Sequence, residues 1–282
     1  MKVLTLRQPW ASLIIENYKH YEFRSWKTNY RGKIYIHAGS GIDKDILNRF
    51  NKLNINYPFG AIIGEATLTD CVLVDKEFNK KLHDMDPLIY FRTSYESKYA
   101  WKLENIIKYE NPIPCKGHLG LWNAELLDVY SRDLEKTGEI VLRGNIPKTG
   151  YILSAGVIIK NSKGEFLIQK TSKEKGDEFA NTSGLVISGE SPVMCVKREV
   201  FEELGLDIDI DKLQFLGCDY HPDFPLIFNF YLLKMDVIIN KLKIKKDEVS
   251  YVTWMSKDEI KKKIDNGDFR LVTANTLEKF IL

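Results

Sequence analysis

The sequence has few cysteines and no long hydrophobic run, and each of these absences excludes a class of protein. Its four cysteines are dispersed and form no C-x-x-C pair: Cys71, Cys115, Cys195 and Cys218. That spacing argues against a zinc site or a disulfide scaffold and predicts a reducing compartment. No run approaches the roughly 18 apolar residues that a membrane helix needs. The N-terminus also lacks an apolar signal-peptide segment, so we expect a soluble, cytoplasmic protein with no membrane partner.

An excess of charge of one sign is absent as well. Lysine and arginine number 41 against 39 aspartates and glutamates, which gives a formal net charge of +2. This balance does not require nucleic acid or a membrane as a partner. The length of 282 residues predicts two domains, and we place them at residues 1–125 and 150–282. The segment 126–149 is interpreted as a connector, with a helix predicted over residues 125–136.

One stretch, from Gly184 to Leu206, carries the clearest signal in the chain and predicts a loop, a helix and a turn. Ser191 caps the helix and Pro192 suits its first turn, where a missing N–H costs nothing. Gly205 ends the helix because glycine readily adopts the left-handed conformation past the last turn, and a strand is predicted after it over residues 206–210. The core-facing residues recur at helical spacing, and they are Val193, Val196, Val200 and Leu204.

Three acidic residues on this helix predict a metal site. Glu199, Glu202 and Glu203 lie at i, i+3 and i+4 and therefore share one side of the helix. Three neighbouring carboxylates repel one another unless a cation lies among them. Their hard oxygens are suited to Mg²⁺ or Mn²⁺. The alternative, a solvated acidic face, is less typical because exposed helix faces usually mix lysine with glutamate at i, i+4.

The same stretch resembles the signature of the Nudix hydrolases, G-x5-E-x7-R-E-U-x-E-E-x-G-U, in which U is apolar. Every fixed position is matched, by Gly184, Glu190, Arg198, Glu199, Val200, Glu202, Glu203, Gly205 and Leu206. The resemblance implies an α/β/α sandwich with a mixed sheet over residues 150–282. It also implies hydrolysis of the pyrophosphate bond of a nucleoside diphosphate linked to another group.

The resemblance assigns roles to particular residues. The implied metal ligands are Glu199, Glu202, Glu203 and the carbonyl of Gly184, for Mg²⁺ or Mn²⁺. Glu190 is expected behind these ligands, and Arg198 is expected to pair with a carboxylate and keep the ligand face rigid. The family often draws another acid from a loop before the penultimate strand. Glu248 is the candidate for it, as ligand or general base.

The first half of the chain predicts many short strands and few helices, which is typical of a small β-barrel. One helix is predicted over Trp10–Tyr18, after Pro9. It resembles the ASCH domain, a relative of the PUA-like barrels, in the segments 6–11, 19–26, 30–33, 36–38, 64–66, 99–104 and 117–122. The family motif G-x-K-x-x-E-x-R is present with Asn17 in place of the glycine. We therefore expect a PUA-like β-barrel with helices over residues 1–125.

Relatives of the ASCH domain imply binding of RNA or a modified nucleotide. The candidate binding residues are Lys19, Glu22, Arg24, Trp10 and Trp26. Lysine and arginine contact phosphate, and tryptophan stacks on a base. The sequence leaves a second interpretation open, in which the charged residues form a buried ion network and the tryptophans, Trp101 included, are core residues.

Two other functions remain as alternatives. The first is a non-catalytic sensor of a nucleotide or RNA, against which the intact glutamates argue. The second follows from a branch of the ASCH family that hydrolyses an amide of a modified cytidine with a lysine and a threonine three residues later. Lys19 fits the lysine, but Glu22 occupies the threonine position.

Overall fold

A computed structural model describes every residue from Met1 to Leu282. The chain divides into two compact units, Met1–Glu125 and Leu126–Leu282. None of its helices combines the length and the apolar character required to cross a membrane.

The first unit contains six strands and three α-helices. In chain order they are β1 (Lys2–Gln8), α1 (Trp10–Ile15), β2 (Tyr21–Arg24), β3 (Gly32–Ile42), α2 (Lys44–Leu47), β4 (Ala61–Leu73), α3 (Lys76–Met85), β5 (Tyr99–Pro114) and β6 (Leu121–Asn123). The strands form one sheet in the order β2-β5-β4-β3-β1-β6. Strands β1 and β3 are parallel, and the other neighbours are antiparallel. The sheet of this unit is therefore mixed.

Helix α1 ends earlier than the Trp10–Tyr18 helix that the sequence predicts. Asn17 adopts a left-handed backbone with φ of 64°, just beyond the helix. Asparagine tolerates this conformation better than most residues. Asn17 therefore makes the turn that the family's glycine would make.

The second unit contains nine strands and three α-helices. They are β7 (Leu126–Tyr130), β8 (Lys136–Leu142), β9 (Tyr151–Lys160), β10 (Phe166–Thr171), β11 (Phe179–Ala180), β12 (Thr182–Leu185), α4 (Pro192–Leu204), β13 (Gln214–Tyr220), β14 (Leu226–Lys234), β15 (Val249–Met255), α5 (Lys257–Asp265) and α6 (Leu271–Phe280). All nine strands belong to one mixed sheet, in which β9 and β14 are parallel.

Alternate residues of the central strand β9 face two different layers. Leu153 and Val157 pack with the apolar face of helix α4. Ile158 packs on the opposite face, in a cluster that contains residues of α5 and α6. Because side chains alternate along a strand, β9 separates the two layers and lies beneath helix α4.

The predicted helix over residues 125–136 is wrong. Residues 126–130 form strand β7, and β8 follows it as the second strand of a hairpin. Val129 and Tyr130 pair with Ile152 and Tyr151 of strand β9. All five residues of β7 are buried. A short segment buried on both faces has no alternation, so the sequence could not distinguish it from a helix by periodicity.

A second prediction, of a strand over residues 206–210, is also wrong. That segment has no regular structure and leads into a short 3₁₀ turn at Ile210–Lys212. Its chain direction is set by the end of α4, where Gly205 has φ of 68°. The next strand, β13, begins only at Gln214.

Candidate active site

Helix α4 begins and ends where its sequence predicts. Ser191 accepts a hydrogen bond from the backbone N–H of Met194, Pro192 is the first helical residue, and Gly205 follows the last turn in the left-handed conformation. Val196, Val200 and Leu204 are buried in the core beneath the helix, and Val193 packs against it. This packing fixes which side of α4 carries the glutamates.

The three glutamates of α4 have very different exposure. The side chains of Glu199 and Glu202 are 12% and 48% exposed. Glu203 is buried, with 7% exposure. The helix therefore presents a graded row of carboxylates, from the protein interior at Glu203 to the solvent at Glu202.

Arg198 connects the helix to the loop that precedes it. Its Nε and Nη2 donate to the two carboxylate oxygens of Glu190, at 2.9 and 3.0 Å. Its Nη1 donates to Glu199 Oε1 at 2.5 Å, and Nη2 also donates to the carbonyl of Leu185. The hydrogen bonds from Arg198 to Glu190 raise the pKa of this guanidinium above its ordinary value. Arg198 is thus a fixed cation behind Glu199, and Glu190 holds it there.

Gly184 lies directly against Glu199. A Cβ atom at position 184 would lie 1.8 Å from Glu199 Oε1, so any side chain at this position would displace the Glu199 carboxylate. The Gly184 carbonyl accepts a hydrogen bond from Ser154 Oγ at 2.7 Å and one from Cys195 Sγ at 3.5 Å. Burial raises the pKa of the Cys195 thiol to about 12, so this cysteine is a packed core residue and not a thiolate.

Glu203 lies at the inner end of the site, beside strand β10. Its Oε2 accepts a hydrogen bond from Gln169 Nε2 at 2.9 Å, and Gln169 Oε1 in turn accepts from Thr182 Oγ1 at 3.1 Å. Burial raises the pKa of Glu203 to about 8, and the negative charges of Glu199 and Glu248 act in the same direction. The positive charge near Glu203 therefore does not offset the cost of burying its ionised form.

Glu248 lies just before strand β15 and is close enough to Glu203 to influence it electrostatically. Its Oε1 accepts a hydrogen bond from Lys245 Nζ at 2.6 Å. The side chain of Glu248 is 28% exposed. Of the acids in this region, Glu248 and Glu202 are the ones that solvent reaches most easily.

The donor chemistry of the site fits a hard divalent cation. All candidate side-chain donors are carboxylate oxygens, which Mg²⁺ and Mn²⁺ prefer. Burial raises the pKa of both Glu199 and Glu203, so a cation among them would stabilise their ionised forms. In the side-chain positions of this structure, however, no group of three His, Cys, Asp or Glu residues converges to hold one ion. The site therefore fits a divalent cation by its negative charge and by its oxygen donors.

Sequence reasoning missed the residues that support this site from outside the signature. Gln169 and Ser154 are buried polar residues on β10 and β9, and each forms a hydrogen bond with a residue of the signature. A glutamine or a serine within an apolar strand was the available signal. A buried polar side chain usually has a specific partner.

The ASCH-like residues of the first unit form an ion network. Lys19 is buried, with 3% exposure, and its Nζ donates to the Tyr21 carbonyl and to Glu22 Oε2 at 2.7 Å. Arg24 Nε lies 3.3 Å from the other oxygen of Glu22. Burial lowers the pKa of Lys19, and Glu22 opposes that effect. The structure thus brings Lys19, Glu22 and Arg24 together.

A cavity of about 610 Å³ lies beside this network. It is lined by Glu22, Arg24 and Trp10, together with Arg7, His37, Lys116 and His118. His37 Nδ1 is buried and makes no hydrogen bond, whereas the buried Arg24 Nε makes no hydrogen bond but is ion-paired with Glu22.

The tryptophans of the first unit have separate places. Trp10 lines the cavity, whereas Trp26 is not among its lining residues. Trp26 is 38% exposed and packs edge-on against Trp101 at 4.6 Å. Trp101 is fully buried, so it is a core residue and cannot stack on a base.

Both halves of the chain match known domain families. The NUDIX domain model matches residues 150–274, and the ASCH domain model matches residues 4–113. A Nudix hydrolase of Listeria monocytogenes is 31% identical over 149 residues, which are 50% of this chain and 86% of that relative.

Two further relatives match one half each. Activating signal cointegrator 1 of Homo sapiens is 26% identical over 141 residues, which are 43% of this chain but 22% of that protein. A NAD-capped RNA hydrolase of Pseudomonas aeruginosa is 28% identical over 111 residues, which are 38% of each chain. From these matches the chain belongs to the Nudix hydrolases, enzymes acting on pyrophosphate bonds, and carries an ASCH domain before the Nudix domain.

Proposed function

We propose that this protein is a Mg²⁺- or Mn²⁺-dependent hydrolase of a nucleoside diphosphate linked to another group. The observation that carries the proposal is the row of carboxylates on α4, with Glu199 seated against Gly184 and backed by Arg198. A buried, negatively charged site of this kind attracts a divalent cation, and that cation in turn attracts a pyrophosphate. The name of the Pseudomonas relative, a NAD-capped RNA hydrolase, supports a substrate that contains a nucleotide.

The residues proposed to hold the ion are Glu199, Glu202, Glu203 and the Gly184 carbonyl. A divalent ion bound there supplies charge neutralisation for the two phosphoryl groups and lowers the pKa of a bound water. Arg198 keeps Glu199 in place, and Gln169 orients Glu203. Glu248 is proposed as the ligand or general base, and as base its carboxylate oxygen would take the proton of the attacking water. The water oxygen bonds to phosphorus as the phosphoanhydride P–O bond breaks.

A product assay tests this function directly. With Mg²⁺ present, the chain is mixed with ADP-ribose, dinucleoside polyphosphates, nucleoside triphosphates or NAD-capped RNA, and released products are separated. We expect cleavage of at least one phosphoanhydride and its loss after chelation. Glu202→Gln should lower kcat by more than about 100-fold, because loss of a catalytic acid or ligand typically removes several kcal/mol of transition-state stabilisation.

The matched control is Glu278→Gln, which changes an exposed glutamate of helix α6 and should leave the rate unchanged. Hydrolysis that persists undiminished in Glu202→Gln would refute the assignment of the α4 carboxylates. Binding of a nucleotide without any cleavage would favour the sensor function instead.

The first unit, interpreted as a PUA-like domain, is proposed to bind the nucleotide or RNA portion of the substrate. Support comes from the cavity beside Arg24, whose lining combines one indole ring, Trp10, with several cationic side chains. An aromatic face suits a base and the cations suit phosphate. The buried His37 Nδ1, which makes no hydrogen bond, is a polar atom that such a ligand would satisfy.

Fluorescence anisotropy with a labelled oligoribonucleotide tests this role in the full chain. Trp10→Ala should weaken binding by about 10-fold or more, because stacking contributes about 1–3 kcal/mol per base. Trp26→Ala is the control, because that ring lies outside the cavity lining. Equal losses in the two variants would refute the cavity as the binding site.

A further inference from the structure

The loop of residues 186–191, between β12 and α4, determines where Arg198 lies. We name it the signature loop. Its Glu190 accepts hydrogen bonds from Arg198 through both carboxylate oxygens and one from the backbone N–H of Ile187 at 3.2 Å. A shift of this loop would therefore move Glu190, and with it the guanidinium that binds Glu199.

The hairpin β7–β8 is hydrogen-bonded to the signature loop. Asp128 of β7 accepts from Ser188 Oγ at 2.8 Å through Oδ1 and from the Gly189 N–H at 3.2 Å through Oδ2. The Ser188 N–H also donates to the carbonyl of Leu126 at 2.7 Å. Two consecutive loop residues are thus bound to one buried carboxylate, which is 8% exposed.

Asp128 is itself held by the second strand of the hairpin. Lys136 Nζ donates to Asp128 Oδ2 at 2.6 Å. Burial raises the pKa of Asp128, but the hydrogen bonds from Lys136, Ser188 and Gly189 outweigh it and hold the pKa below the ordinary value. The carboxylate is therefore charged at neutral pH, and hydrogen bonds to a charged acceptor are stronger than those between neutral groups.

We propose that Asp128 is a positioning residue of the hydrolase site, acting through Ser188 and Gly189 of the signature loop. The connection continues from the loop through Glu190 to Arg198 and from Arg198 to Glu199. This inference rests on the proposed function, in which Arg198 and Glu199 act in catalysis. Asp128 lies before residue 150, where the match to the NUDIX model begins, so the hairpin supports the signature loop from outside the segment that this model matches.

Steady-state kinetics of Asp128→Ala, Ser188→Ala and the double variant test this role. We expect Asp128→Ala to lower kcat by about 10- to 100-fold, as for residues that orient catalytic ligands, with KM changed less than about 3-fold. Ser188→Ala should have a smaller effect in the same direction. The double variant should be no worse than Asp128→Ala alone, because both changes remove the same connection. Asp128→Asn, which keeps one acceptor oxygen, should recover part of kcat.

Thr137→Ala is the matched control for stability. Thr137 Oγ1 donates to the Val129 carbonyl at 3.0 Å within the hairpin, and no hydrogen bond joins its side chain to the signature loop. This variant should lose stability without a change in kcat per folded molecule. Asp128→Ala with a wild-type kcat per folded molecule would overturn the proposal, and so would fully additive effects in the double variant.

Amide hydrogen exchange separates this proposal from the proposed function. Asp128→Ala should increase exchange in residues 186–191, whereas Thr137→Ala should not. Unchanged exchange there would overturn the positioning role whether or not the enzyme is active. If wild-type protein cleaves no phosphoanhydride, the proposed function fails, and faster exchange in Asp128→Ala still supports the connection. Should Asp128→Ala not fold, Asp128→Asn combined with Ser188→Ala serves in both measurements.

Discussion

The carboxylate of Glu199 occupies the space that a side chain at Gly184 would need. A Cβ at position 184 would lie 1.8 Å from Glu199 Oε1 and 2.2 Å from its Cδ. Strand β12 and helix α4 therefore approach each other at the point where the candidate ligands lie. The glycine of the signature is explained by this close approach and not by a left-handed backbone.

Gly184→Ala should impair activity while leaving the fold intact. The added methyl group displaces the end of the Glu199 side chain, which is flexible, and not the backbone of α4. We expect kcat to fall by about 10- to 100-fold, the range found when the support of a metal ligand is altered. Circular dichroism should give an unchanged spectrum. The measurement is a kinetic comparison with Ser183→Ala, a small change at the preceding residue of the same strand.

Normal activity in Gly184→Ala would mean that Glu199 does not have to lie against the glycine. The same decrease in Ser183→Ala would attribute the effect to strand β12 in general.

Gln169 provides a second prediction, because its Nε2 donates a hydrogen bond of 2.9 Å to the buried Glu203 carboxylate. Gln169→Leu removes that donor and leaves the Thr182 hydroxyl without its acceptor. We expect a loss of about 1–3 kcal/mol in the free energy of unfolding, since an unpaired buried polar group carries such a cost. Activity should fall by about 10- to 100-fold. Urea unfolding and steady-state kinetics measure the two effects.

The control for this prediction is Gln214→Leu, an exposed glutamine of β13, for which both quantities should stay near the wild-type values. A Gln169→Leu variant with full activity at saturating Mg²⁺ would contradict an orienting role for Gln169.

Local signals explain why helix α4 was predictable. Ser191, Pro192 and Gly205 act on the backbone within one turn of the residue concerned, so the helix limits follow from neighbouring residues. The spacing of Glu199 and Glu203 then fixes their common side. The burial of Glu203, in contrast, depends on β10 and could not be read from α4 alone.

Contacts distant in sequence explain what was missed. Asp128 and Ser188 are 60 residues apart, and no pattern in one sequence links them. The continuous burial of β7 removed the alternation that identifies a half-buried strand. In the first unit, the sequence alone does not distinguish the three tryptophans. Trp10 lines a cavity, Trp26 is partly exposed and Trp101 is a core residue. Only the packing of the strands distinguishes them.

The third prediction concerns Tyr90, which is buried in the first unit with 1% exposure. Burial raises the pKa of its hydroxyl to about 12 from an ordinary value of 10.0. Between pH 10 and about 12, the Tyr90 hydroxyl loses its proton in the unfolded chain but keeps it in the folded unit. The folded state therefore binds more protons in this range. The free energy of unfolding should then decrease as the pH rises from about 10 to 12, by about 2–3 kcal/mol.

Tyr90→Phe removes the contribution of the Tyr90 hydroxyl to the free energy of unfolding, so comparison with the wild type measures that contribution. Near pH 8 the variant should be less stable by about 1–3 kcal/mol, because the Tyr90 oxygen accepts hydrogen bonds from the His20 and Tyr21 N–H groups, which become unpaired. The difference from wild type should shrink above pH 10, since phenylalanine has no proton to lose. Urea unfolding at several pH values, followed by tryptophan fluorescence, reports mainly on the first unit, which contains Trp10, Trp26, Trp101 and Trp122 of the five tryptophans. Tyr18→Phe, at an exposed position, is the control and should keep the wild-type pH dependence. If the difference in free energy of unfolding between wild type and Tyr90→Phe stays constant or widens between pH 10 and 12, the raised pKa of Tyr90 is contradicted.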